Sequence, residues 1–117
     1  MNEFGQYIKQ SREARVIDGK KVSLRLLART LNIEPSYLSK IERGVFAPPS
    51  EELITKIAQE LELDNDVLLA LAGKVSTELK EIIQKRPALF ADLIRQLKDT
   101  PDNAILQVVR TVRDGNW

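Results

Sequence analysis

The segment Ser23 to Gly44, SLRLLARTLNIEPSYLSKIERG, constrains the fold of this 117-residue chain more than any other stretch. Leu24, Leu27, Ala28 and Leu31 recur at i, i+3, i+4 and i+7, the spacing of one buried helical face. Ser23 stands just before them, where a hydroxyl accepts from an amide that the first turn leaves unpaired. Asn32, Ile33 and Glu34 interrupt the pattern, and Pro35 opens a second helix at the one position where its missing N–H costs nothing. That helix buries Leu38 and Ile41 and ends at Gly44, a residue suited to the left-handed backbone that closes helices. The spacing predicts two short helices joined by a tight turn.

The second of these helices is two-faced. At roughly 100° per residue, Leu38, Ile41 and Glu42 cluster on one side. Ser36, Lys40 and Arg43 fall at i, i+4 and i+7 on the other, flanked by Tyr37 and Ser39. Small hydroxyls and long cations facing outward, on a helix braced by another across its back, suit entry into a DNA major groove.

Composition narrows the alternatives. Apolar residues make up 43% and charged residues 30% of the chain, as in globular proteins. No run approaches the roughly 18 apolar residues of a membrane span, and the N-terminus lacks a charged-then-apolar export signal, so a cytoplasmic protein is expected. Cysteine and histidine are both absent. Disulfides, thiolate nucleophiles, imidazole acid–base chemistry and zinc sites are thereby excluded. The acids Glu60, Glu62, Asp64 and Asp66 lack the glycine and ligand order of a calcium loop, so no metal and no cofactor is expected. Nothing places two carboxylates in one cleft, and no enzymatic activity is expected. Net charge is only +1, but it is unevenly spread: +4 over residues 1–44, −5 over 45–72 and +2 over 73–117. Such polarity turns the basic third toward a polyanion, although solvated charges alone also produce it.

Five helices account for residues 1–72. The first is predicted from Asn2 to Arg15, burying Phe4 and Ile8, with Tyr7 a further candidate. Residues 16–22 read as a loop centred on Asp18-Gly19, and strand signals are missing. The two helices of the opening segment follow, then an extended connection over Val45 to Pro49. Ser50 caps a fourth helix, with Glu51 and Glu52 in its first turn and Leu53, Ile54, Ile57, Ala58 and Leu61 inward. Asp64 caps a fifth that ends before Gly73.

The run YLSKIERG, with apolar residues at Leu27, Leu31, Ile33, Leu38 and Ile41 and a small residue at Ala28, resembles the helix-turn-helix of the lambdoid phage repressor and Cro group. In bacteria this is the XRE family of regulators. The resemblance covers about residues 4–72 and implies an all-α fold: a five-helix lambda-repressor-like DNA-binding domain over residues 1–73 with a helical extension over 74–117. Asn32 stands where the family often has glycine; asparagine is the next residue most tolerant of left-handed angles. The resemblance implies a sequence-specific regulator of transcription, a repressor acting on double-stranded DNA. Base contacts then fall to Ser36, Tyr37, Ser39 and Lys40, with Tyr37 alternatively packing against the preceding helix. Phosphate contacts fall to the amides near Ser23 and Leu24 and to Arg25, Arg29 and Arg43, with Arg29 alternatively paired to an acid. Arg12 and Glu42 occupy the positions of a buried ion pair in the family. The loop over residues 16–22 is longer than usual, and its Lys20 and Lys21 either reach flanking phosphate or are simply solvated.

The tail reads as two or three helices. Ser76 caps one reaching Lys85; Pro87 begins the next; Thr100-Pro101 starts a third as cap and first-turn proline. Phe90, Leu93, Ile94 and Leu97, then Ile105, Val109 and Val112, form apolar faces too large for so short a segment to bury alone. The resemblance implies a homodimer on palindromic DNA, with these residues as the interface. The alternative is an antitoxin-like or peptidase-controlled regulator whose tail binds a toxin or metallopeptidase.

Overall fold

The computed structural model describes residues 3–115 and 117, and Asn2 of the expected first helix lies outside them. The chain divides into two compact units, residues 1–77 and 78–117. In the first unit, five helices surround one core: α1 (Glu3–Ala14), α2 (Leu24–Leu31), α3 (Pro35–Arg43), α4 (Glu51–Leu61) and α5 (Asn65–Leu71). Helix α1 packs on α3 and α5, α2 on α3 and α4, and α4 on α5. Ile8, Leu27, Leu38, Ile41, Ile54, Ile57, Leu68 and Leu69 are fully buried at the centre. Each comes from the inward stripe of its helix, so burial follows the 3.6-residue period. Tyr7 instead lies on the exposed side of α1, where Gly5 and Arg12 join Phe4 and Ile8 as the buried residues.

Caps set the helix limits. The Ser23 hydroxyl accepts from the Leu26 amide at 3.0 Å, and Ser50 from the Leu53 amide at 3.3 Å. The Asp64 carboxylate accepts from the amides of Asp66 and Val67. At the far ends, Asn32 and Gly44 both adopt left-handed backbone, with φ of 58° and 74°. The amides of Ile33 and Val45, one residue on, close six-residue rings onto Ala28 and Lys40 carbonyls, each at 2.9 Å. The turn between α2 and α3 is therefore a completed helix end followed by the Glu34-Pro35 start of the next.

Residues 16–22 are not an irregular loop. Val16–Ile17 (β1) pairs antiparallel with Lys20–Lys21 (β2), Val16 opposite Lys21 and Ile17 opposite Lys20. Asp18 and Gly19 both have positive φ, 52° and 79°, as a two-residue hairpin turn with right-handed strand twist requires. The base is pinned: the Val22 side chain is buried, and its amide donates to the Arg15 carbonyl at 3.2 Å. Strands of two residues are too short to show alternation, so the turn dipeptide is the one local signal they leave.

After α5, the Thr77 amide and hydroxyl donate to the Glu51 carboxylate at 3.2–3.3 Å, where α6 (Thr77–Lys85) begins. Ser76 beside it is buried. The second unit continues through α7 (Pro87–Leu97) and α8 (Asp102–Arg113). Pro87 opens α7 in the first turn, but Pro101 does not do so for α8: it is the capping residue itself, at φ −69° and ψ 157°. Thr100 does not cap α8; its amide and hydroxyl donate to the Leu97 and Gln96 carbonyls at the end of α7. None of the described residues of α6, α7 and α8 is buried. Nor is any helix among the described residues long and apolar enough to cross a membrane.

Candidate nucleic-acid interface

Helix α3 is seated by Leu38 and Ile41 in the core and by an ion pair beneath it. Arg12 of α1 donates from Nε to Glu42 Oε2 at 2.8 Å and from Nη2 to Oε1 at 3.0 Å. Its third nitrogen, Nη1, donates to the Val22 carbonyl at 3.1 Å. Both residues are buried, with 8% and 5% of their surface exposed. A two-point contact of this kind fixes direction as well as distance. Hydrogen bonding to Glu42 holds the Arg12 guanidinium above the ordinary arginine value, against burial, which lowers it. One side chain thus ties together α1, α3 and the base of the hairpin.

On the opposite side of α3, Ser36 and Arg43 are exposed, while Tyr37, Ser39 and Lys40 are half-buried. The Arg43 Nε donates to the Ser39 hydroxyl one turn back at 3.2 Å, which draws the guanidinium along the helix. Tyr37 packs against the hydrophobic core with one part of its ring and faces Phe46 with another, ring centres 6.0 Å apart. The Lys40 ammonium sits 5.2 Å from the centre of the Phe46 ring. At the start of α2, Ser23 is occupied as a cap, Leu24 is half-buried, and Arg25 and Arg29 stand exposed. The amides of Leu24 and Arg25 belong to a first turn that offers no intrahelical acceptor. Lys20 and Lys21 are exposed on the hairpin that leads into this turn.

Phe46, which touches both Tyr37 and Lys40, is not marked by any periodic pattern in the sequence. It lies two positions past Gly44, in a connection without helical period, so neither the wheel of α3 nor a core pattern includes it. The signal that could have found it is an aromatic residue in a short proline-rich segment directly after the cationic helix, where the core does not need it.

In the second unit, Phe90, Leu97 and Ile105 are half-buried, whereas Leu93, Ile94, Val109 and Val112 are exposed. Of the four acids considered for metal, Asp64 caps α5 and Glu62 pairs with Arg15 at 3.0 Å.

A family model described as a helix-turn-helix domain matches residues 5–74. An uncharacterized HTH-type transcriptional regulator of Mycobacterium tuberculosis, found in two strains, is 34% identical over 88 residues. That alignment covers 75% of this chain and 57% of the relative, so the chain spans little more than half the length of the curated relatives it matches. Among solved structures, a chain of the SinR protein/SinI protein complex shares the fold, with a TM-score of 0.50, 22% identity and 94% of each chain covered.

Proposed function

The chain belongs to the XRE family of helix-turn-helix transcriptional regulators, and from that membership we propose that it is a repressor acting as a homodimer on a palindromic operator. Helix α3 enters the major groove of each half-site, with half-site centres roughly 34 Å apart. Lys40 donates to guanine O6 and N7, and Ser36, Tyr37 and Ser39 contact neighbouring base edges. Arg25, Arg29, Arg43 and the amides at the start of α2 grip phosphate, which sets register without reading sequence. The hairpin lysines, Lys20 and Lys21, extend that grip outward. The observation that carries this reading is the outward face of α3, cationic and hydroxyl-bearing, on a helix whose inner face is locked by Arg12 and Glu42.

Selection of bound sequences from random duplex DNA tests the proposal. A palindromic site with two half-sites one helical turn apart is expected, bound with steep salt dependence. Folded protein that prefers no sequence over random duplex would refute it.

A second reading concerns the tail, whose exposed Leu93, Ile94, Val109 and Val112 suit a protein partner as well as a twin. In that reading a toxin or metallopeptidase occupies the apolar face. Light scattering separates the two: a dimer supports the homodimer, a clean monomer the partner.

A further inference from the structure

Phe46 lies outside the hydrophobic core but against the outward face of α3. It is 47% exposed and stands outside the buried cluster and the residues packed on it. Its backbone is nevertheless held firmly. Gly44 turns the chain in left-handed conformation, and the Val45 amide donates to the Lys40 carbonyl at 2.9 Å, so Phe46 leaves the last turn of α3 along a fixed path. The side chains then form a relay from inside to outside. Tyr37 leans on the core, Phe46 meets Tyr37 at 6.0 Å with the rings tilted by 48°, and Lys40 places its ammonium 5.2 Å from the Phe46 ring centre.

A lysine head attracted to a ring face has fewer positions open to it than one on a bare helix, so its donors are directed before DNA arrives. The uncovered part of the ring offers an apolar surface beside that ammonium, and in the major groove the apolar feature of a base pair is the thymine 5-methyl group. Building on the DNA-binding reading above, we propose that Phe46 is a specificity-determining residue: it positions Lys40 and packs against the methyl group of a thymine adjoining the base pair that Lys40 reads.

The test uses the full chain and its selected duplex, with each thymine replaced in turn by deoxyuridine, which deletes the methyl group alone. Wild type should lose about fourfold in affinity at one thymine per half-site, the equivalent of one buried methyl group. The Phe46→Ala variant should bind the thymine and uracil duplexes alike at that position and discriminate less at the adjoining base pair. Phe46→Leu should keep the methyl preference, because leucine is still apolar, while losing discrimination at the base pair read by Lys40, because it has no ring face for the ammonium. Thermal unfolding should shift by only a few degrees in both variants, since the ring lies outside the core and loses no more than its contacts with Tyr37 and Lys40. A uracil scan of Phe46→Ala that matches wild type overturns the proposal, even where wild type is sequence-specific. A wild-type protein that selects no sequence is a different result, and it refutes the DNA-binding reading itself.

Discussion

Arg12 and Glu42 lie 30 positions apart in the chain, yet their side chains meet at 2.8 and 3.0 Å in a largely buried site. Charges so placed stabilise each other, because each has little solvent to fall back on. Glu42→Ala should therefore cost about 3–5 kcal/mol in chemical denaturation, the usual loss when one member of a buried pair is left alone. Arg12→Met combined with Glu42→Leu should recover most of that loss, and a double variant as unstable as the single one would argue against unpaired charge as the cause. The raised value of Arg12 also has a sign: its contribution is fully present below the ordinary arginine range and is lost only as pH rises through the higher folded value. Between about pH 5 and 9, arginine ionisation should leave stability flat. On the other face, Lys40→Ala should weaken operator binding by about 1–3 kcal/mol and relax preference at one base pair per half-site. A uniform loss across all sequences would reassign Lys40 to phosphate.

Among the elements, the hairpin has the least in common with its surroundings. It is a pair of two-residue strands in a helical unit, held by a buried valine at its base and presenting Lys20 and Lys21 to solvent. Its turn chemistry was legible in Asp18-Gly19, but its pairing was not, since two residues per strand carry no measurable period. The helices α2 and α3 differ in this respect. Their stripes, caps and closing residues each occupy a few consecutive positions, so their limits could be read locally, Asn32 included. In the DNA-binding reading the hairpin continues the phosphate grip of α2. Replacing both lysines by alanine should lower the slope of log affinity against log salt by about 0.9 for each phosphate that is no longer neutralised, leaving the preferred sequence unchanged. An unaltered slope would return the hairpin to the status of a solvated turn.

For the molecule as a whole, the contrast between the two units is the main physical fact. The first has a closed core; the described helices of the second leave Ile94, Val109 and Val112 more than half exposed. A sheet or helix layer needs another layer to cover it, and three short helices supply too little surface to enclose the large apolar side chains they carry. A second copy is the proposed cover. Ile94→Asp with Val112→Asp, both exposed in the single chain, should convert a dimer to a monomer in light scattering and remove the concentration dependence of Tm. A variant that remains dimeric would place the interface elsewhere.

Local chemistry within the chain determined the five helices of the first unit, their caps and which stripe of each turns inward, because those properties depend on residues a few positions apart. The cationic outer face of α3 was readable for the same reason. What lies against each face depends instead on packing between elements distant in sequence, and only the tertiary structure decided it. The Arg12–Glu42 pairing was implied by the family resemblance and by no local pattern, and the Val22 carbonyl joins it because α1 crosses α3 at that level. Phe46 meets Lys40 and Tyr37 because Gly44 folds a patternless connection back along the helix. A hydrophobic period specifies that a face is covered; the neighbour that covers it, or the face that stays bare, emerges only when the elements pack.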